Sequence, residues 1–478
     1  MRRCLWLSLS LAITGCASAP VESPFVGFFA PYKDCRAKYA DIDARIDAAG
    51  VRDGGYYRVP GFPYLRSERL LASFRGEVES PEQLFGMLRR LRELDQEARE
   101  FEYINLGMAR QEAANLRFQL LECGRALAMI ELDDPKALRR MMESSSPPDD
   151  YSDKARLLGL HSLTAPALRE RVLEQDARLK ARFAQPLPAG TPTVLWQAAT
   201  PTDPATIPRN FGATLPDELG FPGLTDSGWT ALAERNAPAL WMETASASDA
   251  PGAPAWVGDK AMADPQQPFV NFHVSFARFG GQIYGQIVYF YWFQHEEGLD
   301  GLIWRVTLDA EFQPVVYESL RASGAEHLWF PVQALARRET DASQDPPHFP
   351  QAGQVPKAVA LRLASGSQRL DRVVGAAEVQ APKVQQYELR RYEDLFMLPR
   401  ADGGFRSLFG PDGLARNSAS TDPVWRYASG IRHPGVARQY GRHAIDYVGR
   451  SHFDDPRLLE RVFVAPRPLT AAMPASGG

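Results

Sequence analysis

His273, His295, Glu318 and His327 are the residues with which this chain could do metal chemistry. Imidazole nitrogens and carboxylate oxygens bind zinc and related divalent ions, and neighbouring strands can unite such ligands from distant positions. A metal held there with an open position would activate water and polarise a substrate, while a carboxylate takes up the proton. The spacing contains no HExxH or CxxC pattern, so it sets neither ligand number nor geometry. Ordinary hydrogen bonds and ion pairs account for the same residues. Glu318 with Glu296 or Glu297 offers paired carboxylates, the equipment of glycoside cleavage. A third group, His433, Arg438, Arg442, His443 and His452, could hold an anionic head group or close a pocket against the strands. Its competing role is to stabilise the last helical unit. The chain has no GxSxG nucleophile elbow, and Gly410-Pro411-Asp412-Gly413 lacks the Gly-Lys-Ser or Gly-Lys-Thr of a phosphate loop.

Residues 271–332 must position the first group. Within 282–294, Tyr284, Val288, Phe290 and Trp292 alternate with Ile283, Ile287, Tyr289, Tyr291 and Phe293. Both faces are apolar, which predicts a central strand. Gly280-Gly281 turns the chain from a shorter strand over 271–279, and Asp300-Gly301 punctuates the start of a strand over 302–308. With a return over 315–319 the simplest arrangement is an antiparallel meander. Residues 359–363 and 369–374 read as a hairpin, and 385–398 extends the sheet. The stretch 245–268 reads as a surface loop, 436–448 as a helix and 456–463 as a short final helix.

The first half is helical. Residues 32–49 carry a weak apolar stripe. Ser80-Pro81-Glu82-Gln83 then marks a helix start, with serine as cap, proline in the first turn and glutamine closing a reciprocal capping box. Leu84, Leu88, Leu91, Leu94, Ala98, Phe101 and Ile104 follow at helical spacing and predict a buried face. A second helix is expected over 111–132, with others over 135–143 and 151–183. Intramolecular packing explains these stripes better than a coiled-coil surface, because breakers interrupt the repeats.

The chain has 478 residues and a net charge of −4, which argues against a basic nucleic-acid surface; no nucleic-acid partner is expected. Its first twenty residues, MRRCLWLSLSLAITGCASAP, have a short positive region, an apolar stretch and a small-residue exit. Ile13-Thr14-Gly15-Cys16 resembles the lipobox of bacterial lipoproteins, which implies cleavage before Cys16 and lipid attachment to it. Ala17, in place of an aspartate, implies the outer membrane. Loss of Cys4 and modification of Cys16 leave Cys35 and Cys123, which could pair in an oxidising envelope or remain two buried thiols.

Residues 281–292, 300–308, 317–319 and 430–455 together resemble a group of uncharacterised bacterial envelope lipoproteins. That resemblance implies an envelope setting and names no reaction. The expected fold is α+β, an N-terminal helical unit with a C-terminal domain built on an antiparallel sheet and peripheral helices. The expected division is 1–15 signal peptide, 16–30 lipidated N-terminus and linker, 31–185 mainly helical domain, 186–267 connector with short elements, 268–463 mixed domain, and 464–478 flexible tail. The leading functional expectation is a lipid-anchored envelope protein with a binding or maintenance role, joined to the membrane through its lipid and taking a glycan, peptide or lipid ligand. The alternative is a metal-dependent hydrolase, with zinc as the kind of cofactor, acting on an envelope-derived substrate.

Overall fold

The computed structural model describes residues 30–186, 192–199, 215–245, 249–295, 298–416, 418 and 422–465. Cys16, Glu296, Glu297 and the end of the expected tail lie outside the described residues.

The helical half begins with α1 (Ala30–Ala49). The ribbon β1 (Tyr57–Arg58) and β2 (Arg66–Ser67) leads to the single turn α2 (Arg69–Ala72) and the long pair α3 (Pro81–Asn105) and α4 (Arg110–Glu131). α5 (Pro135–Ser144) and α6 (Asp153–Leu158) precede α7 (His161–Ala184). The capping box at Ser80 and Gln83 is present, with proline in the first turn of α3. The most buried line of α3 differs from the expected leucine stripe. It runs through Met87, Leu91, Asp95, Ala98, Arg99 and Glu102, and the charges are tolerated because they pair. Arg66, fully buried, donates to Asp95 at 3.2 Å and to Glu102 at 2.8 Å, and Arg99 reaches Asp95 at 2.8 Å. A disulfide joins Cys35 on α1 to Cys123 on α4, across 88 residues of sequence.

The second half contributes β3 (Thr193–Ala198), α8 (Asp226–Asn236), β4 (Ala239–Glu243) and the hairpin β5 (Ala253–Val257) with β6 (Lys260–Asp264). The meander follows as β7 (Phe269–Phe279), β8 (Gln282–His295), β9 (Gly298–Leu308), β10 (Pro314–Arg321) and β11 (Leu328–Pro331). Then come the hairpin β12 (Val359–Leu363) and β13 (Leu370–Gly375), β14 (Lys383–Arg391), the ribbon β15 (Leu398–Pro399) with β16 (Phe405–Arg406), α9 (Pro423–Ser429) and α10 (Leu458–Val462). The fold is α+β, as expected. The sheet itself is mixed, in the order β11-β10-β9-β8-β7-β14-β3-β4-β12-β13.

β14 joins the two parts of the sheet. Its first half, from Lys383 to Tyr387, pairs in parallel with β3, and Glu388 to Arg391 pair in parallel with β7. β4 also lies parallel to β12. The segment read as a connector therefore places β3 and β4 in the sheet. Both faces of β8 are buried, as its alternation demands. Val288, Phe290 and Trp292 pack with Phe453 and Phe463, while Ile287, Tyr289, Tyr291 and Phe293 join Trp229 of α8 and Phe183 of α7. Leu361 of β12 and Trp304 of β9 share that second core, so the sheet curls and both its ends close over one interior.

Three local expectations are corrected. Residues 436–448 form irregular backbone, because Gly435 and Gly441 take φ of +88° and +86°, values outside the right-handed helix. Residues 245–268 contain the β5–β6 hairpin, whose Trp256, Ala261 and Ala263 are buried. Asp300-Gly301 lies inside β9 rather than before it. Glycine is needed at 301 because a Cβ there would meet the Tyr291 carbonyl oxygen at 2.7 Å.

Candidate functional site

The four expected metal ligands do not form one site. Cross-strand register runs from His273 to Val288, from Val288 to Arg305, and from Arg305 to Glu318. Three strand spacings of about 4.8 Å put His273 and Glu318 about 14 Å apart, too far to share an ion. His295 ends β8. Glu318 and His327 do meet, at 2.9 Å, but Glu318 is already engaged by buried Arg305 at 2.7 Å. Among the described residues no three His, Cys, Asp or Glu side chains converge as a metal site.

The C-terminal cationic group is also consumed internally. Buried Arg438 donates to the carbonyls of Val436, His433 and Arg442, and burial brings its guanidinium down to about 10. Arg442 pairs with Asp150 at 2.8 Å, and His452 lies against Asp149 at 3.3 Å. His443 is fully buried beside Ala322 O, with its pKa pushed down to about 3 by burial and by Arg438. His433 is half-buried in the same loop region, and burial followed by Arg438 lowers its pKa. Arg438 thereby holds irregular backbone together by satisfying its carbonyls, while Arg442 and His452 are engaged by the carboxylates of Asp150 and Asp149.

A small cavity of about 60 Å³ lies beside His327, lined also by Asp345, Asp446, Ser451 and Arg461. Its polar groups are largely satisfied from within. Asp345 accepts the amides of Tyr447 and Val448 at 2.6 and 2.8 Å, and Asp446 accepts the Ser451 hydroxyl.

The arrangement richest in unspent chemistry lies where the helical half meets β7. Strand alternation puts Asn271, His273 and Ser275 on one face. His273 Nδ1 is 3.1 Å from Glu393 Oε1, Ser275 Oγ is 2.8 Å from the Tyr440 hydroxyl, and the His273 ring lies 4.9 Å from that of Tyr440. Donation from Nδ1 to the carboxylate leaves Nε2 as the basic atom of the neutral ring. From the helical half, Asp53 accepts the Gly55 and Tyr56 amides at 3.2 and 2.8 Å, forming a turn that presents Tyr56. The Tyr56 hydroxyl is 3.4 Å from Glu97 of α3. Glu68 stands at the N-cap of α2 but makes no capping bond, so its carboxyl is left for other work. The network of Arg66, Asp95, Arg99 and Glu102 stiffens this wall, and Glu102 also takes the Asp53 amide at 2.9 Å.

Tyr56, Glu68, Glu97, His273, Ser275, Glu393 and Tyr440 are all half-buried. They keep partial solvent contact where the helical half meets the sheet, a polar junction termed the His273 recess. Burial raises Glu68 to about 7, against the lowering influence of His273 and with reinforcement from Asp454. Burial also raises Glu97 to about 7, with Glu393, Asp53 and Glu68 adding to the shift and His273 opposing it. Burial acts in the same direction on Glu393 and is the largest single influence, but the hydrogen bond and electrostatic attraction to His273, a backbone hydrogen bond and Arg391 together outweigh it and hold the carboxyl below the usual carboxylate range. Two carboxyls poised near neutrality beside an oriented imidazole can give and take protons at physiological pH.

Of the expected ligands only His273 belongs to this recess. Glu68, Glu97, Glu393, Tyr56, Ser275 and Tyr440 went unnoticed as a site. The available signal was the polar series Asn271, His273 and Ser275 alternating along one strand. Compared with family models, curated proteins and solved structures, the chain has no match, and its functional reading therefore rests on this geometry and on its N-terminal sequence.

Proposed function

We propose that the chain is a lipid-anchored protein of the bacterial cell envelope, tethered through Cys16 on the outer membrane, whose working part binds an envelope-derived ligand in the His273 recess. The observation that carries the ligand site is the enclosure of Glu68, Glu97 and Glu393 around His273, with tyrosine and serine hydroxyls beside them. Carboxylates and hydroxyls in a recess suit a ligand rich in hydroxyl or amino groups, such as a glycan or a peptide amine, and disfavour an anion. Titration calorimetry of the purified protein with envelope glycans, peptides and lipids tests this reading. Binding abolished by His273→Gln and Glu68→Gln together supports it; binding unchanged in that variant removes the recess as the site.

A second reading, hydrolysis, is favoured by one observation, the elevated Glu68 and Glu97. One protonated carboxyl would donate to a leaving group while the other carboxylate, or His273 Nε2, takes a proton from water. A metal-dependent version would need ligands beyond the set His273, His295, Glu318 and His327. Product release from a bound glycan or peptide distinguishes turnover from capture.

A further inference from the structure

The corner between α6 and α7 exposes an apolar surface. Leu157 is 76% exposed, Leu158 73%, Leu160 57% and Leu163 75%. α9 adds Val424, 68% exposed, and Tyr427, 44% exposed. These belong to one surface, because Gly159 packs so close to α9 that a Cβ there would meet the Tyr427 carbonyl oxygen at 2.0 Å. From 157 to 167 the only ionisable side chain is His161, and both its ring nitrogens are turned inward, to Ala428 O at 2.7 Å and Val448 O at 3.1 Å. Leu160 also takes the left-handed conformation, with φ of 51°. Glycine would relieve that strain. Soluble surfaces scatter their leucines singly; a contiguous group of this kind marks a contact.

We propose that this corner docks into the interfacial layer of a lipid bilayer. The inference rests on the reading of Cys16 as lipidated, and that reading supplies the occupant. Ala30 begins α1 and lies 14 positions after Cys16, a tether whose extended length is about 50 Å at most. A body held this close meets the bilayer at high effective concentration, so even a shallow apolar contact becomes populated. Tyr427 suits the edge of such a contact, with an apolar ring and a hydroxyl that stays in the headgroup layer.

The test uses the lipidated protein reconstituted in vesicles of phosphatidylethanolamine and phosphatidylglycerol containing a lipid-chain quencher. A fluorophore is attached through Leu163→Cys and, in a separate control, through Phe85→Cys, a position on α3 that is 64% exposed. Flotation with the vesicles and several-fold stronger quenching at position 163 than at 85 support docking. Flotation with equal quenching overturns docking and leaves the anchor standing. Failure to float, with no lipid found on Cys16, overturns the anchor and the docking with it. Shielding of position 163 that requires no vesicles and accompanies a doubled molecular mass assigns the surface to a second copy and also overturns the proposal.

Discussion

His273 and Glu318 sit in one cross-strand row of the sheet, yet Val288 and Arg305 stand between them. A shared row implies a shared face, and three strand spacings imply about 14 Å of separation. The two side chains accordingly serve different structures, His273 the recess and Glu318 a buried ion pair. In a double-mutant cycle on unfolding free energy, His273→Ala and Glu318→Gln should couple by less than about 0.5 kcal/mol. Coupling well above that would place both in one site.

The elevated carboxyls of the recess give a pH signature. Glu68 and Glu97 move from 4.5 to about 7 on folding, so the folded state holds their protons more tightly. Their favourable contribution is complete below about pH 4.5 and is lost as pH rises through 7. Glu68→Gln and Glu97→Gln should therefore flatten the decline in unfolding free energy between pH 5 and 8, by at most about 3 kcal/mol each and less where solvent screens the group. Urea unfolding at the two pH values reads this directly. An unchanged decline would show that the carboxyls ionise normally.

Arg305 is buried against Glu318, its guanidinium 3.7 Å over the Phe453 ring. Removing one charge from such a pair strands the other, at a cost of about 3–5 kcal/mol. Glu318→Gln should lose stability of that order in denaturant unfolding, and the double change Arg305→Met with Glu318→Leu should lose less. Burial opposes the Glu318 charge, but Arg305 and His327 outweigh it and hold the carboxyl below 4.5. The stability it contributes is present above about pH 4.5 and disappears as pH falls through its depressed value. A Glu318→Gln variant as stable as the parent at pH 7 would refute the pairing.

The disulfide between Cys35 and Cys123 restrains the unfolded chain across the whole α1 to α4 region. Cys35→Ser with Cys123→Ser should lower unfolding free energy by about 2–5 kcal/mol. Thiol counting in denaturant, before and after reduction, verifies the bond. Reactive thiols at Cys35 and Cys123 in the unreduced protein would contradict it.

Local signals made several elements legible. Ser80 and Gln83 announce α3, the double-faced alternation of 282–294 announces a buried strand, and Ala364-Ser365-Gly366-Ser367 separates the two strands of a hairpin. Each rests on residues a few positions apart, within the reach of a cap or a side-chain period. The same local logic misled over 436–448, where apolar spacing suggested a helix while Gly441 allowed the backbone to leave it. It also aligned the α3 stripe on apolar residues alone, because the pairing of Asp95 and Glu102 with Arg66 is invisible until β2 is docked.

The amino-acid sequence by itself determined the α+β class, the long helices, the buried character of β8 and the lipobox-like run ending at Cys16, all features encoded by neighbouring residues. Tertiary structure alone decided that β14 would lie in parallel between β3 and β7, and that His273 would meet Glu393 rather than Glu318. It also assembled Glu68 and Glu97 around that histidine. Strand order is set by long-range backbone pairing, and a carboxyl is raised to about 7 only by what is packed over it, so neither could be read from residue spacing.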